Sequence, residues 1–249
     1  MQDITMVVAR YNESLAWLDF MPKNINVIIY NKGPDIVDRK ILDNSIITVV
    51  NKCHNTGRET ETYLRHIVKE YDKLSDIVIF TQGNPLDHSP NFSHLVYGIA
   101  NGGMEESVYP LSIRWNEYLP PPKVLESSLT PYFIEKASRY TLCPVRHWDD
   151  GIIHTCDSYR NLHDLPHGED VINHFCNLIS LPDPDFGKND FFNFFYCGIF
   201  AVKKEAIMKH SLNFYFNCHS IASKHESHGF IFERIWWKMF SENLCFSIK

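Results

Sequence analysis

The chain has 249 residues, 44% of them hydrophobic and 22% charged, enough for one large domain with a substantial core. Its net charge is −6 and no basic block occurs, which argues against a nucleic-acid partner, because neutralising phosphates needs clustered Lys and Arg. The longest apolar-rich stretch, 191–202, is interrupted by Asn193 and Gly198 and is too short to span a bilayer, and the N-terminus lacks the apolar run of a signal peptide. With seven scattered Cys and no CxxC pair, the chain reads as a soluble, cytoplasmic protein with reduced thiols.

Residues 5–9 are a first predicted strand and 12–20 a short helix or turn. A second strand, 26–30, is closed by the turn 31–34, and 46–50 is a third. A helix is predicted over 57–74, with Tyr63, Leu64, Ile67, Val68, Tyr71 and Leu74 on one face and Thr56 with Glu59 as a capping box. The run "IVIF" at 77–80 has no polar alternation and predicts a fourth strand buried on both faces. Strands and helices alternating at this spacing predict an α/β fold: a mostly parallel sheet flanked by helices. Further on, 117–122 reads as a loop, and 141–170 as a long irregular region in which Trp148, Ile152, Ile153 and Tyr159 need burial. A short helix at 171–178 and a turn at 182–187 follow. The last third holds a strand over 196–202, a helix start over 203–210, and a helix over 227–242 that turns Phe232, Ile235, Trp236, Met239 and Phe240 inward.

Ligands of open α/β sheets bind at the carboxyl ends of the strands. Three predicted strands end there in polar clusters: Arg10-Tyr11-Asn12-Glu13, Asn31-Lys32-Gly33, and Gln82-Gly83-Asn84 with Asp87-His88 just beyond. Arg10 suits a phosphate and Asn12 or Glu13 a ribose or base, while Asn12 also reads as a helix cap. Asp87 suits a hard cation or a sugar hydroxyl, and His88 a phosphate or the same metal. The same pair also reads as an Asx-type turn with Asp87 capping a helix near 90–95. Arg58 in a first helical turn opposes the helix dipole, which an anion bound there would offset; Asn55 and Gly57 let the backbone approach it. Glu226 and Glu233, before and within the last helix, are candidate bases for taking a hydroxyl proton. Glu233 lies among Phe232, Ile235 and Trp236, so burial would raise its pKa; a surface salt bridge to Arg234 or Lys238 is the alternative. Zinc is not expected: His225 and His228 lack the HExxH spacing, and Pro166 separates His163 from His167. Serine-hydrolase, dinucleotide and P-loop signatures do not occur.

The segments "VVARYNE", "YNKG", "NTGRETETYLRHIVKEY", "VIFTQGNPLDH", "CGIFAVKKEAI" and "GFIFERIWWKMF" occur in this order across residues 4–240. The set resembles a family catalogued as a domain of unknown function, itself similar to divergent glycosyltransferases of the GT-A fold and with members in large DNA viruses. The resemblance implies a single GT-A-like, Rossmann-like domain, with 1–100 as the nucleotide-binding half and 101–249 as the acceptor half. It implies transfer of a sugar from a nucleotide-sugar donor to a hydroxyl of a glycan or protein-linked sugar, in the host cytoplasm if the protein is viral. Donor binding would then fall to Arg10, Tyr11, Asn12, Glu13, Asn31, Lys32, Asn55, Arg58, Gln82, Gly83 and Asn84, and the chemistry to Asp87, Glu226 and Glu233. Many GT-A enzymes hold a divalent ion with Asp-x-Asp after the fourth strand. That slot here reads Gln82-Gly83-Asn84, so Mn²⁺ or Mg²⁺ would fall to Asp87 and His88. The departure leaves two alternatives: a catalytically silent nucleotide- or glycan-binding protein, and a metal-dependent phosphoesterase.

Overall fold

The computed structural model describes residues 2–112, 142–144, 153–181, 190–193, 195–241 and 246–247. Its main sheet contains β1 (Ile4–Arg10), β2 (Asn26–Asn31), β3 (Ile47–Val50), β4 (Ile77–Gln82), β5 (Val108–Pro110) and β8 (Phe200–Lys203). A small second sheet joins β6 (Leu142–Pro144), β7 (Asp190–Asn193) and β9 (Phe246–Ser247). The main sheet runs in the order β3-β2-β1-β4-β8-β5. The four strands β1 to β4 are parallel, and β8 lies antiparallel between β4 and β5. The chain moves outward from β1 through β2 to β3, then returns to the other side of β1 as β4. That reversal is a topological switch point, where side chains of the two diverging connections leave a crevice. In register, Ala9 pairs with Tyr30 on one side and Gln82 on the other, so the three polar strand ends do meet at one edge.

Both faces of the sheet are buried, which explains the unbroken apolar runs. Met6, Val8, Ile77, Ile79 and Ala201 join one core with Trp17, Phe92 and Val96. Val7, Val78, Phe80, Phe200 and Val202 join the other with Tyr63, Ile67, Tyr215 and Trp236. Eight α-helices are seen among the described residues: α1 (Arg39–Leu42), α2 (Arg58–Glu70), α3 (Phe92–Ala100), α4 (Ile153–Leu162), α5 (Val171–Leu178), α6 (Lys204–Ile207), α7 (Leu212–Ala222) and α8 (Glu226–Phe240). The inward face expected of the last helix is present, with Phe232, Ile235, Trp236, Met239 and Phe240 all buried.

Several local expectations change. The segment 12–20 forms only a short 3-10 turn at Ala16–Phe20, and Ser14 rather than Asn12 accepts from the backbone there, from the Ala16 N–H. The strand expected over 196–202 begins only at Phe200, because Tyr196–Gly198 makes a tight turn with Cys197 and Gly198 both left-handed. Within 141–170, α4 is helical and Tyr159 is fully buried, but Ile153 is 53% exposed. The loop 117–122, the turn 182–187, Trp148 and Ile152 lie outside the described residues.

The expected capping box is absent. The helix begins after Gly57, with no side-chain cap, and it ends at Glu70 before a 3-10 turn. Gly57 and Arg58 are both left-handed, with φ of 59° and 52°. A Cβ on Gly57 would lie 2.5 Å from the Ala222 carbonyl oxygen, so the turn is packed directly against the end of α7. Only glycine meets both demands, positive φ and that approach.

Candidate functional site

The strand ends at the switch point are held together by their own polar groups. The Arg10 guanidinium donates to the carbonyls of Glu13 (3.1 Å) and Pro34 (2.9 Å) and to Asn31 Oδ1 (2.6 Å). Asn31 is 1% exposed and donates to Pro34 O and Asn51 Oδ1. The Glu13 carboxylate accepts from the backbone N–H groups of Tyr11 (2.7 Å) and Asn12 (3.1 Å). A Cβ on Gly83 would sit 2.4 Å from that carboxylate, so the β1 and β4 loops touch. Gln82 donates from Nε2 to the Cys197 carbonyl (2.9 Å), and Gly83 O accepts from the Trp17 indole (2.8 Å). Asn84 accepts from the Leu86 N–H, so the Asx-type turn of this stretch is made by Asn84, before Pro85, and not by Asp87.

These contacts correct part of the donor-site expectation. Arg10, Asn31 and Lys32 turn their polar groups into the protein, because loop carbonyls beyond strand ends need donors. Lys32 Nζ binds Thr56 O (2.9 Å), Arg58 O (2.5 Å) and the Glu61 carboxylate (2.9 Å), and its side chain is 4% exposed. Tyr11, Asn12, Asn55 and Arg58 remain exposed at the edge. Asp87 is exposed at the end of a 3-10 turn at Pro85–Asp87 and does not cap α3, whose N-cap is Asn91. Among the described residues, no three His, Cys, Asp or Glu side chains converge as an ion-holding set, and Asp87 with His88 would offer an ion two protein ligands, the rest coming from water or a bound diphosphate.

A different group does assemble. Glu59, on the first turn of α2, and Glu233, in the middle of α8, are hydrogen-bonded carboxyls. Burial pushes the Glu233 pKa well above the carboxylate range, and the charge of Glu59 pushes it further, against the smaller opposing effect of Arg234. Glu59 Oε1 is buried and has no donor among the described residues unless Glu233 carries a proton. Two carboxyls joined by a hydrogen bond hold one proton between them. Glu226 does not join the pair: it is exposed at the N-terminus of α8.

The surroundings of the pair are unusual. The Tyr63 hydroxyl is buried without a hydrogen-bond partner among the described residues, and burial, then Glu59, then Glu233 raise its pKa. Burial and the same two carboxyls raise the Cys197 thiol. A Cβ on Gly198 would lie 3.7 Å from Glu59 Cγ. The pair therefore sits between two left-handed turns, Gly57–Arg58 and Cys197–Gly198, and strain of this kind concentrates at functional sites. Arg58 stacks 4.5 Å over the Phe230 ring with its Nε 3.6 Å from Glu59, and it is the half-exposed cation of the edge.

Sequence reading found Glu233 but explained Glu59 away as a cap. The available signal was position: Glu59 falls four residues before Tyr63 and eight before Ile67, on the stripe that faces the core. Glu61, fully buried, also lacked an assignment; it binds Lys32, Arg65 and His219. No helix among the described residues is long and apolar enough to cross a membrane.

No curated protein matches the chain. Residues 6–95, from within β1 to the first turn of α3, match the model of a family described as a protein of unknown function (DUF3431), a span that holds the switch point and Glu59 but not Glu233.

Proposed function

We propose that the protein is a glycosyltransferase that binds a nucleotide-sugar donor at the β1/β4 edge and passes the sugar to an acceptor hydroxyl. The observation that carries this reading is the Glu59–Glu233 pair beside Cys197, whose carbonyl accepts from Gln82 at the end of β4. The crevice suits a nucleotide, and a pair holding one proton has one ionised oxygen to take the acceptor proton as the new glycosidic bond forms. Exposed Tyr11, Asn12 and Asn55 flank the crevice for the nucleoside. Arg58 and the first-turn N–H groups of α2 supply positive potential for the leaving diphosphate. Asp87 and His88 are the residues that would hold Mn²⁺ or Mg²⁺, which would neutralise the leaving diphosphate if one is used.

The test is calorimetric titration with a panel of sugar nucleotides, with and without Mn²⁺, followed by product analysis with glycan acceptors. One donor is expected to bind, and Glu59→Gln, which removes the ionised member of the pair, is expected to keep that binding while transfer falls about a hundred- to ten-thousand-fold. Binding of a donor with no product would leave a nucleotide-binding protein without transfer, and no binding of any donor would overturn the reading.

A further inference from the structure

Lys32 is a cation buried at the end of β2, on the rim of the proposed site but closed off from it. It spends all three N–H donors on protein acceptors. Two of those acceptors are the carbonyls of Thr56 and Arg58, which flank Gly57 on either side. The turn so pinned is the left-handed pair Gly57–Arg58, and a non-glycine residue at φ 52° costs about 1 kcal/mol that its surroundings must offset. The next residue is Glu59. On the far side, Gly57 O lies 3.6 Å from where a Cβ of Gly229 would be, and Thr60 Oγ1 donates to Gly229 O (3.4 Å). Gly229 is one helical turn before Glu233 on α8.

The third partner of Lys32 anchors the arrangement. Glu61 Oε1 accepts from Arg65 Nε (2.8 Å) and from His219 Nε2 (2.8 Å) on α7, while Oε2 faces Lys32 (2.9 Å). The network thus ties β2, the strained turn, α2 and α7 into one unit, in which Lys32, Glu61, Arg65 and His219 are buried or half-buried.

We infer that Lys32 is a positioning residue: it holds the Gly57–Arg58 turn in its left-handed form and thereby sets Glu59 against Glu233. The inference rests on the reading of that pair as the reactive centre, but it is tested on the protein alone. The field of the ammonium reaches Glu59, whereas the groups acting on Glu233 are Glu59, Arg234 and Arg58, so the field and the turn are two separate routes from Lys32 to the pair. The two routes have opposite signs. Removing a nearby cation would raise the affinity of a carboxyl pair for its proton. Loosening Glu59 from Glu233 lowers it, because the neighbouring charge and the shared hydrogen bond are lost.

The experiment is an infrared pH titration of the protonated carboxyl band in the wild type, in Lys32→Met and in Glu233→Gln, which identifies the band. Lys32→Met is expected to lower the pH at which the pair loses its proton, a fall of about tenfold or more in proton affinity. Glu61 keeps Arg65 and His219 in this variant, so the fold is retained; Lys32→Met/Glu61→Gln, which leaves only the solvent-reached Arg65 charge without its partner, is the second variant and should show the same fall. A titration that is unchanged or moves upward in the folded variants overturns the positioning role. Neither outcome depends on donor binding, so failure of the transferase reading in calorimetry is distinguishable from failure here.

Discussion

Lowering the pH from 7 to 4 is expected to destabilise the protein by about 6 kcal/mol through two buried histidines. His66 and His228 are 2% and 1% exposed, and burial holds both neutral, with pKa values pushed down to about 4 from 6.5. Each folded-state pKa lies below its unfolded value, so the unfolded chain binds more protons between them. Stability is therefore present above about pH 6.5 and is lost as the pH falls through 4, about 3 kcal/mol for each histidine.

The geometry makes protonation of His228 costly for a second reason. Its Nδ1 donates to Ile221 O (2.7 Å), so its Nε2 is the acceptor facing His163 Nε2 at 3.0 Å. A proton on that nitrogen would face another N–H. Around it stand His163, His225 and Lys224, all of which disfavour the cation. Urea denaturation at pH 7, 5.5 and 4.5 checks this: the midpoint should fall steadily, and His228→Asn should roughly halve the slope. Equal midpoints at pH 7 and 4.5 would contradict it. Glu61 adds a lower window. Burial alone would raise it, but the His219 hydrogen bond and the Lys32 and Arg65 cations hold it at about 2, so its contribution is present above 4.5 and lost as the pH falls through 2. Glu233 runs the other way: its folded pKa is raised, so its contribution is present below 4.5 and is lost as the pH rises through the folded value.

Replacing Glu61 by Ala is expected to cost about 3–5 kcal/mol, the range for removing one partner of a buried ion pair. Lys32 would be left with an ammonium 4% exposed and two carbonyls but no counter-charge. Burial already lowers its pKa, and Glu61 is the main influence opposing that. Arg65 and His219 are less affected, because 35% and 27% of their side-chain surface reaches solvent. Replacing Lys32 and Glu61 together by Met should cost less than Glu61→Ala alone, since neither charge then remains buried. Equilibrium unfolding of the three proteins checks this. A loss under about 1 kcal/mol in Glu61→Ala would place the network among surface pairs in strength.

The four parallel strands and the last helix were determined by the sequence alone, because their signals are local. "IVIF" at 77–80 is apolar at every position, which suits a strand covered on both faces, and Phe232, Ile235, Trp236, Met239 and Phe240 repeat at helical spacing. The convergence of polar strand ends was also legible, since parallel strands in one sheet share a carboxyl edge. The partner of each polar group was not. Arg10 reads as a phosphate ligand until the carbonyls of Glu13 and Pro34 are seen to need its donors. Lys32 reads as an exposed turn residue until Glu61 closes over it from another element. Glu59 and Glu233 lie on helices from opposite ends of the chain, and the shared proton arises only when α2 packs on α8. Tertiary structure decided these because burial and charge proximity, which set where a proton resides, depend on neighbours in space and not in sequence.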